Sequence, residues 1–312
     1  MKEHDRKPKV GVVLGAGAAR GWAHIGVIEA LEELEVPIDI ICGCSSGAIV
    51  AASYATGRFE ALAKLARSLT MLKVASYFDF SFDGGGLIEG RQVLRFFEDN
   101  LQDVAIEAAD VRFGAVATDL HSGREAWFTS GSIIDAVRAS IALPGLLTPM
   151  MSDGRWLVDG TLVNPLPTSL ARALGADVTI AVNLSGNLSG ARAEPGRRQT
   201  SQTDADEHSS WLSHLRQLLP TPRSEASASG AGKGKSEDRP PYIEVVAGAF
   251  LVMNNLITRV RLATDPTDLL LSPDVDPIGL LDFHKAAPAI EAGRAAVEQN
   301  KEKILGLLEI GR

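Results

Sequence analysis

Short apolar runs alternate with segments of helical periodicity from the start of the chain to about residue 184. Uninterrupted apolar runs of this kind are typical of strands that are buried on both faces of a sheet. Between them, apolar side chains recur at helical spacing, and Pro37 bars the continuation of the first helix. Strands that alternate with helices predict an α/β fold, a three-layer α/β/α sandwich with a mainly parallel central sheet. Strands are predicted at residues 10–14, 38–42, 111–118, 124–129, 156–160 and 177–183, and helices at about 21–34, 48–56, 61–69, 91–100 and 132–140.

The composition of the chain changes at about residue 186. Residues 186–241 are rich in Ser, Gly, Ala, Pro and charge, and only residues 211–219 carry an apolar pattern. Such a composition buries too little apolar surface to fold, so we predict a mostly disordered insertion with one short amphipathic helix. The ordered elements that follow are too few for a second core, and we therefore predict a single domain over residues 9–312, interrupted at about 186–241. These later elements are a helix at 242–260, a strand at 268–271 and a helix at about 286–308.

Charge and composition exclude several classes of protein. The formal net charge of −8 argues against a nucleic-acid-binding protein, because phosphate backbones require a concentrated basic face. Residues 1–9 lack the apolar core of a signal peptide, and no apolar run approaches the roughly 18 residues of a membrane span. Cys42 and Cys44 are too close in sequence to bridge readily, which indicates a reducing compartment. We expect a cytoplasmic protein for which any membrane contact would be peripheral, at the inner face; the sequence does not predict its protein partners.

The segment Gly43-Cys44-Ser45-Ser46-Gly47 has the pattern G-x-S-x-G. It lies between a predicted strand and a predicted helix, which is the context of a nucleophile elbow. In such an elbow the glycines permit a tight turn and the serine is exposed at a helix N-terminus. Ser45 is then the nucleophile, and the other four residues form the turn around it. A Gly- and Ser-rich turn before a helix cap explains the same residues, so the motif alone does not decide between the two.

A second turn of small residues, the glycine loop (residues 15–21), lies between the first strand and the first helix. A dinucleotide site would place glycine where Arg20 stands and an acidic residue at the end of the second strand, and both are absent. The alternative is an oxyanion hole, in which backbone N–H groups stabilise a tetrahedral intermediate. The first two strands of such a sheet are usually neighbours, so the loop is expected beside Ser45. The candidate residues are Gly15, Ala16, Gly17, Ala18, Arg20 and Gly21.

A general base for Ser45 is the remaining requirement. None of the six histidines occupies a loop after a strand, and His24, near the glycine loop, is expected to be a packed helix residue. Asp159-Gly160 does follow an apolar strand. A carboxylate paired directly with a serine acts as a general base, more effectively when burial raises its proton affinity. An Asp-Gly turn without a chemical role remains the alternative. No His, Cys and Asp cluster has the spacing of metal ligands, so no metal is expected.

The glycine loop with Arg20-Gly21, the elbow and the Asp159-Gly160 pair together resemble the patatin-like phospholipases, most closely their bacterial and neuropathy-target-esterase-like branch. The resemblance covers about residues 9–184 and, more weakly, residue 242 to the end. The connecting segments that share it are Ala117-Thr118-Asp119-Leu120, Arg138-Ala139-Ser140, Leu143-Pro144-Gly145 and Asn164-Pro165-Leu166-Pro167.

The resemblance implies a serine hydrolase of lipid acyl esters, with a phospholipid or lysophospholipid substrate and no metal or organic cofactor. By position, Ser45 is the nucleophile and Asp159 the base. Gly17 and its neighbours supply the oxyanion N–H groups, and Arg20 orders their loop. Two alternatives remain: an acyltransferase that uses the same dyad, and a catalytically weak lipid-binding or regulatory protein.

The chain departs from the family pattern at three positions. Ala16 and Ala18 stand where the family loop usually has glycine, and a methyl group is unfavourable there if either residue needs a positive φ. Thr161 follows the Asp-Gly pair, where glycine or alanine is common. None of these changes removes a reacting group, so we expect the activity to be retained.

Overall fold

Ten strands occur in the structure, a computed structural model that describes residues 7–77, 86–88, 103–185 and 242–309. Eight of them form one sheet, and the remaining two, β3 and β6, pair with each other. The strands are β1 Val10–Leu14, β2 Ile40–Cys44, β3 Gly86–Ile88, β4 Arg112–Asp119, β5 Glu125–Phe128, β6 Gly145–Leu147, β7 Met150–Ser152, β8 Arg155–Asp159, β9 Val178–Val182 and β10 Leu269–Leu271.

The sheet has a parallel part and an antiparallel edge. Strands β10, β9, β1, β2 and β4 lie side by side in that order and are all parallel, which confirms the predicted mainly parallel sheet. Beyond them, β5 and β8 pair antiparallel with β4, and β7 pairs antiparallel with β8. The three short strands β3, β6 and β7 lie outside the predicted strands, because three-residue segments carry too little periodicity to be recognised.

Helices cover both faces of the sheet. In β1, Val12 and Leu14 belong to a core formed with the first, second, third and eighth helices, whereas Val13 packs with Leu170 on the other face. This alternation shows the predicted three-layer α/β/α arrangement. The helices are α1 Ala23–Glu33, α2 Ser46–Ala55, α3 Phe59–Ser68, α4 Met71–Tyr77, α5 Ile133–Ser140, α6 Thr168–Ala173, α7 Tyr242–Thr264, α8 Ala286–Glu298 and α9 Lys301–Glu309. In the part of the chain that the structure describes, none of them has the length and apolar character needed to span a membrane.

Several element boundaries differ from the predicted ones. Strand β2 continues through Gly43 and Cys44, because both remain paired with β4, so these two residues belong to the strand and not to the turn. The first predicted helix begins as a 3₁₀ turn, Ala18–Trp22. The last predicted helix is interrupted at residues 299–300 and forms α8 and α9. The helix predicted at 91–100 and the insertion at 186–241 lie outside the described residues, so the single-domain organisation stays a prediction.

Candidate active site

One edge of β4 holds two other strands end to end. Strand β2 runs parallel to β4 as far as Cys44, which lies opposite Val116, and β8 runs antiparallel with Asp159 opposite Ala117. Because β5 occupies the other edge of β4 over the same stretch, β2 and β8 share one edge and their C-terminal ends meet there. Ser45 follows the end of β2, and Asp159 ends β8. The sheet therefore brings the predicted nucleophile and the predicted base together.

Ser45 has a backbone conformation that non-glycine residues rarely adopt. Its φ is 54° and its ψ is −124°, between the end of β2 and the start of α2. Such strain, worth about 1–3 kcal/mol, persists where the surrounding structure imposes it, and functional sites are common places for it. The side chain is half-buried at the apex of the turn, as expected for a nucleophile elbow.

The elbow glycines allow neighbouring backbone segments to pack closely together. A Cβ atom on Gly47 would collide with the carbonyl oxygen of Leu14, and one on Gly43 would collide with the backbone of Gly47 and Ala48. Neither glycine has a positive φ, so the left-handed conformation in this turn belongs to Ser45 alone. The two glycines of G-x-S-x-G are thus explained by contact between β1, β2 and the first turn of α2.

Ser45 and Asp159 form a direct hydrogen bond. The Ser45 hydroxyl donates to Asp159 Oδ2 at 2.7 Å, and the aspartate side chain is completely buried. Burial raises the pKa of Asp159 from 3.8 to about 6, against the opposing effect of the hydrogen bonds that the carboxylate accepts from Thr161 and Ser45. A carboxylate with a pKa near 6 is ionised at neutral pH and still accepts a proton readily.

Thr161 binds the other oxygen of the same carboxylate. Its backbone N–H donates to Asp159 Oδ1 at 2.8 Å and its hydroxyl donates to the same atom at 2.5 Å. The backbone of Asp159 is fixed as well, since its carbonyl oxygen accepts a hydrogen bond from Thr118 Oγ1 and its N–H donates to Ala142. Gly160 is the residue that allows this turn to pass β4, because a Cβ there would collide with the Val116 carbonyl.

Ser140, at the end of α5, holds the backbone of the elbow. Its hydroxyl oxygen accepts a hydrogen bond from the Ser45 N–H at 2.9 Å, and its own proton goes to the Val116 carbonyl oxygen at 2.7 Å. The side chain is fully buried. Sequence reasoning placed Ser140 in a family-like segment but gave it no role. Its one available signal was a serine at the end of a predicted helix, which is far too common to assign a function.

Replacing Ser140 with alanine is expected to lower the free energy of unfolding by about 2 kcal/mol, because the Ser45 N–H loses its acceptor away from water. Urea unfolding followed by circular dichroism measures the change. Ser46→Ala is a matched control, since the buried Ser46 hydroxyl has no hydrogen-bond partner among the residues that the structure describes, and its removal is expected to be neutral or slightly stabilising. Equal losses in the two variants would contradict a supporting role for Ser140.

The glycine loop lies against the elbow. Gly21 has no room for a Cβ atom beside the Ser46 side chain, and Gly47 has none beside the carbonyl oxygen of Gly15. Most N–H groups of the loop are already engaged by other backbone segments. The N–H groups of Gly15, Ala16, Ala19 and Arg20 donate to the carbonyl oxygens of Val182, Pro165, Leu280 and Gly17 at 2.9–3.0 Å.

Gly17 and Ala18 are the loop residues with available N–H groups. Among the described residues, no acceptor is found for either of them. Ala18 has φ 48°, so the alanine does occupy a left-handed position where the family usually has glycine. Ala16 is not in that conformation, and its N–H is bound elsewhere. Of the six predicted oxyanion candidates, Gly15, Ala16 and Arg20 thus have N–H groups that are already bound, whereas those of Gly17 and Ala18 have no acceptor among the described residues.

Two buried side chains fix the glycine loop. Arg20 donates from Nε to the Ile278 carbonyl at 2.8 Å; burial lowers the pKa of this guanidinium, and Asp276 and Asp282 act in the opposite direction. His24 lies in α1 with Nε2 2.7 Å from the Gly15 carbonyl oxygen, so this nitrogen carries the proton and donates. Burial lowers the pKa of His24 to about 4, which keeps it neutral. His24 has no hydrogen bond to Ser45 or Asp159, in agreement with a packed helix histidine.

Cys42 and Cys44 are both free and buried. Burial raises the pKa of each thiol, so both remain protonated at neutral pH. Across the parts of the chain that the structure describes, no group of three or more His, Cys, Asp and Glu side chains is arranged to hold a metal ion.

Comparison with known proteins finds relatives of this chain. A model of the patatin-like phospholipase family matches residues 12–172, a range that contains the glycine loop, the elbow and Asp159. An uncharacterized NTE family protein of Mycobacterium tuberculosis (strain H37Rv) is 37% identical over 340 residues, covering 95% of this chain and 92% of that protein.

Two further matches are more distant, one because the matched protein is much longer and the other because its sequence identity is low. The lysophospholipase nte1 of Aspergillus fumigatus is 29% identical over 303 residues; the match covers 95% of this chain but 18% of that much longer protein. Among solved structures, VipD from Legionella pneumophila has a TM-score of 0.41 and 13% identity, covering 96% of this chain and 67% of the other.

Proposed function

The chain belongs to the patatin-like phospholipase family and is thus a lipid ester hydrolase, and we propose that Ser45 and Asp159 are its catalytic dyad. The observation that carries this proposal is the 2.7 Å hydrogen bond between the Ser45 hydroxyl and the buried Asp159 carboxylate. A strained serine at an elbow, paired with a carboxylate that is a stronger base than usual, is the arrangement that nucleophilic catalysis requires.

The first half of the reaction is acylation of Ser45. Asp159 Oδ2 takes the hydroxyl proton while Ser45 Oγ forms a bond to the ester carbonyl carbon, and the carbonyl oxygen becomes an oxyanion. The available N–H groups of Gly17 and Ala18 stabilise that negative charge. The oxyanion then collapses, the bond to the leaving alcohol breaks, and the alcohol receives the proton held by Asp159.

The second half releases the fatty acid. Asp159, ionised again, removes a proton from a water molecule whose oxygen attacks the acyl carbon, and the same N–H groups stabilise the second oxyanion. The Ser45–acyl bond breaks, and Ser45 regains its proton from Asp159. Each step is a proton transfer or an acyl transfer between oxygen atoms, and the dyad with its loop performs all of them without a cofactor.

A lysophospholipid is the first substrate to test, because the Aspergillus fumigatus relative is named a lysophospholipase. Incubation with lysophosphatidylcholine is expected to release free fatty acid, measured by mass spectrometry, with a rate that rises as the pH passes about 6 and Asp159 ionises. A p-nitrophenyl ester series then gives the preferred acyl length. Absence of acyl release from all of these substrates by folded protein would contradict the proposal, and transfer to an added alcohol in preference to water would indicate an acyltransferase.

A further inference from the structure

We propose that Thr161 is a positioning residue for this reaction, whose hydroxyl orients the Asp159 carboxylate and keeps it ionised at neutral pH. The inference rests on the proposed function, since Asp159 is taken to be the base. It concerns one of the three positions at which the chain departs from the family pattern, where glycine or alanine is common.

The geometry divides the carboxylate between two partners. Oδ2 accepts the Ser45 hydroxyl, while Oδ1 accepts both the N–H and the hydroxyl of Thr161. Asp159 is completely buried and Thr161 is 8% exposed, so water contributes little to the solvation of Oδ1. A glycine or alanine at position 161 would keep the backbone donor and lose the hydroxyl. The side chain therefore adds a second donor that points at the oxygen not used in proton transfer.

The Asp159 carboxylate fixes the direction of the Thr161 hydroxyl and thereby that of the neighbouring Cys44 thiol. Cys44 Sγ lies 4.0 Å from Thr161 Oγ1, and either atom could in principle donate. The single hydroxyl proton of Thr161 is directed at the carboxylate, so the thiol is the donor in the weak Cys44–Thr161 contact. Burial, together with the negative charge of Asp159, raises the pKa of Cys44 and keeps its proton in place. The two residues therefore form a chain of donors that ends on Asp159 Oδ1.

Among the described residues, the other titratable groups near the dyad do not replace this donor. Cys44 of β2 is a protonated thiol, and Glu125 of β5 forms an ion pair with Arg261 of α7. Apart from Ser45, the hydrogen bonds that offset the burial of Asp159 both come from Thr161. Loss of the hydroxyl is consequently expected to raise the pKa of Asp159 above its value of about 6.

The test is the pH dependence of kcat/KM for ester hydrolysis in Thr161→Val and Thr161→Ser. In the valine variant the acid limb is expected to move up by about one pH unit, a change of about 1.4 kcal/mol. Activity then falls about tenfold at pH 5.5 and returns to within a few-fold of wild type at pH 8.5. The serine variant keeps the hydroxyl and is expected to keep the wild-type limb. A loss by one factor at every pH, with an unmoved limb, would overturn the proposal.

A second measurement determines the pKa of the Asp159 carboxylate directly and does not depend on catalytic activity. Protein labelled with ¹³C at the aspartate carboxyl carbons is titrated by NMR, and the Asp159 signal is identified by its disappearance in Asp159→Asn. The Asp159 pKa is expected to rise in Thr161→Val, and in Thr161→Ala should the larger side chain prevent folding. If wild type hydrolyses nothing while this pKa rises, the proposed function fails, and only the effect of Thr161 on the protonation of Asp159 stands. An unchanged pKa overturns the role of Thr161 whatever the activity.

Discussion

Ser45→Ala is expected to abolish lipid ester hydrolysis, lowering kcat/KM by at least about 10⁴-fold, because the acyl group has no oxygen atom to bind. The same variant is expected to lose labelling by a fluorophosphonate, which forms a single adduct on wild type through the activated serine. Intact-mass spectrometry measures the adduct, and a fatty-acid assay measures the hydrolysis. The fold is expected to persist, since alanine tolerates the strained backbone of position 45 as well as serine does.

Ser53→Ala is the matched control for this experiment. It makes the same substitution in α2, where the Ser53 hydroxyl donates to the Val50 carbonyl oxygen within the helix. Labelling and hydrolysis are expected to equal those of wild type in this variant. An adduct that persists in folded Ser45→Ala would show that another residue is the nucleophile, and the dyad would have to be abandoned.

Asp159→Asn is expected to lose activity by about 10²- to 10⁴-fold and, at pH 8, to be more stable than wild type. The stability effect follows from the raised pKa of Asp159, because the folded protein holds a proton that the unfolded chain releases. Below pH 3.8 both states are protonated and the group has no effect. Between pH 3.8 and about 6 ionisation favours unfolding, and above about pH 6 the full cost, on the order of 3 kcal/mol, applies. An asparagine of the same shape avoids that cost.

Urea unfolding of wild type and Asp159→Asn at several pH values measures the difference. The gain is expected to be largest at pH 8 and to shrink as the pH is lowered toward 4. Asp119→Asn is a control of opposite sign: backbone N–H groups of His121 and Ser122 lower the pKa of Asp119, so its replacement is not expected to stabilise the protein at pH 8. If Asp159→Asn is no more stable than wild type at pH 8, the buried carboxylate does not lower the free energy of unfolding, and this prediction is wrong.

The apolar strands and the G-x-S-x-G segment made the parallel sheet and the elbow predictable, because both depend on local composition. The approach of Asp159 to Ser45 was predicted from its place after an apolar strand and from the family resemblance. The antiparallel direction of β8, which produces the approach, was not predicted. Strand direction depends on which partners the chain meets in space, and the few residues of β7 and β8 do not carry that information.

The hydrogen-bond partners of the dyad were less accessible to sequence reasoning. Ser140 and Thr161 are small hydroxyl residues, which occur throughout the chain and mostly bind local backbone. Only their burial against Ser45 and Asp159 distinguishes them. At Ala18 the sequence indicated that the alanine would be unfavourable if this position required a positive φ. The structure shows that its φ is positive, at 48°.

The end-to-end arrangement of β2 and β8 on one edge of β4 makes the dyad sensitive to strand register. Asp159 and Ser45 meet because Ala117 and Val116 are adjacent, and a slip of β8 by one residue would move Asp159 by about 3.3 Å and turn its side chain to the opposite face of the sheet. Near-native molecules with a slipped β8 would keep their helices and their circular dichroism but would be inert. Active-site titration of a refolded sample therefore counts only the molecules in which β8 has the correct register. A refolding yield measured by circular dichroism would also count the slipped molecules and would be too high.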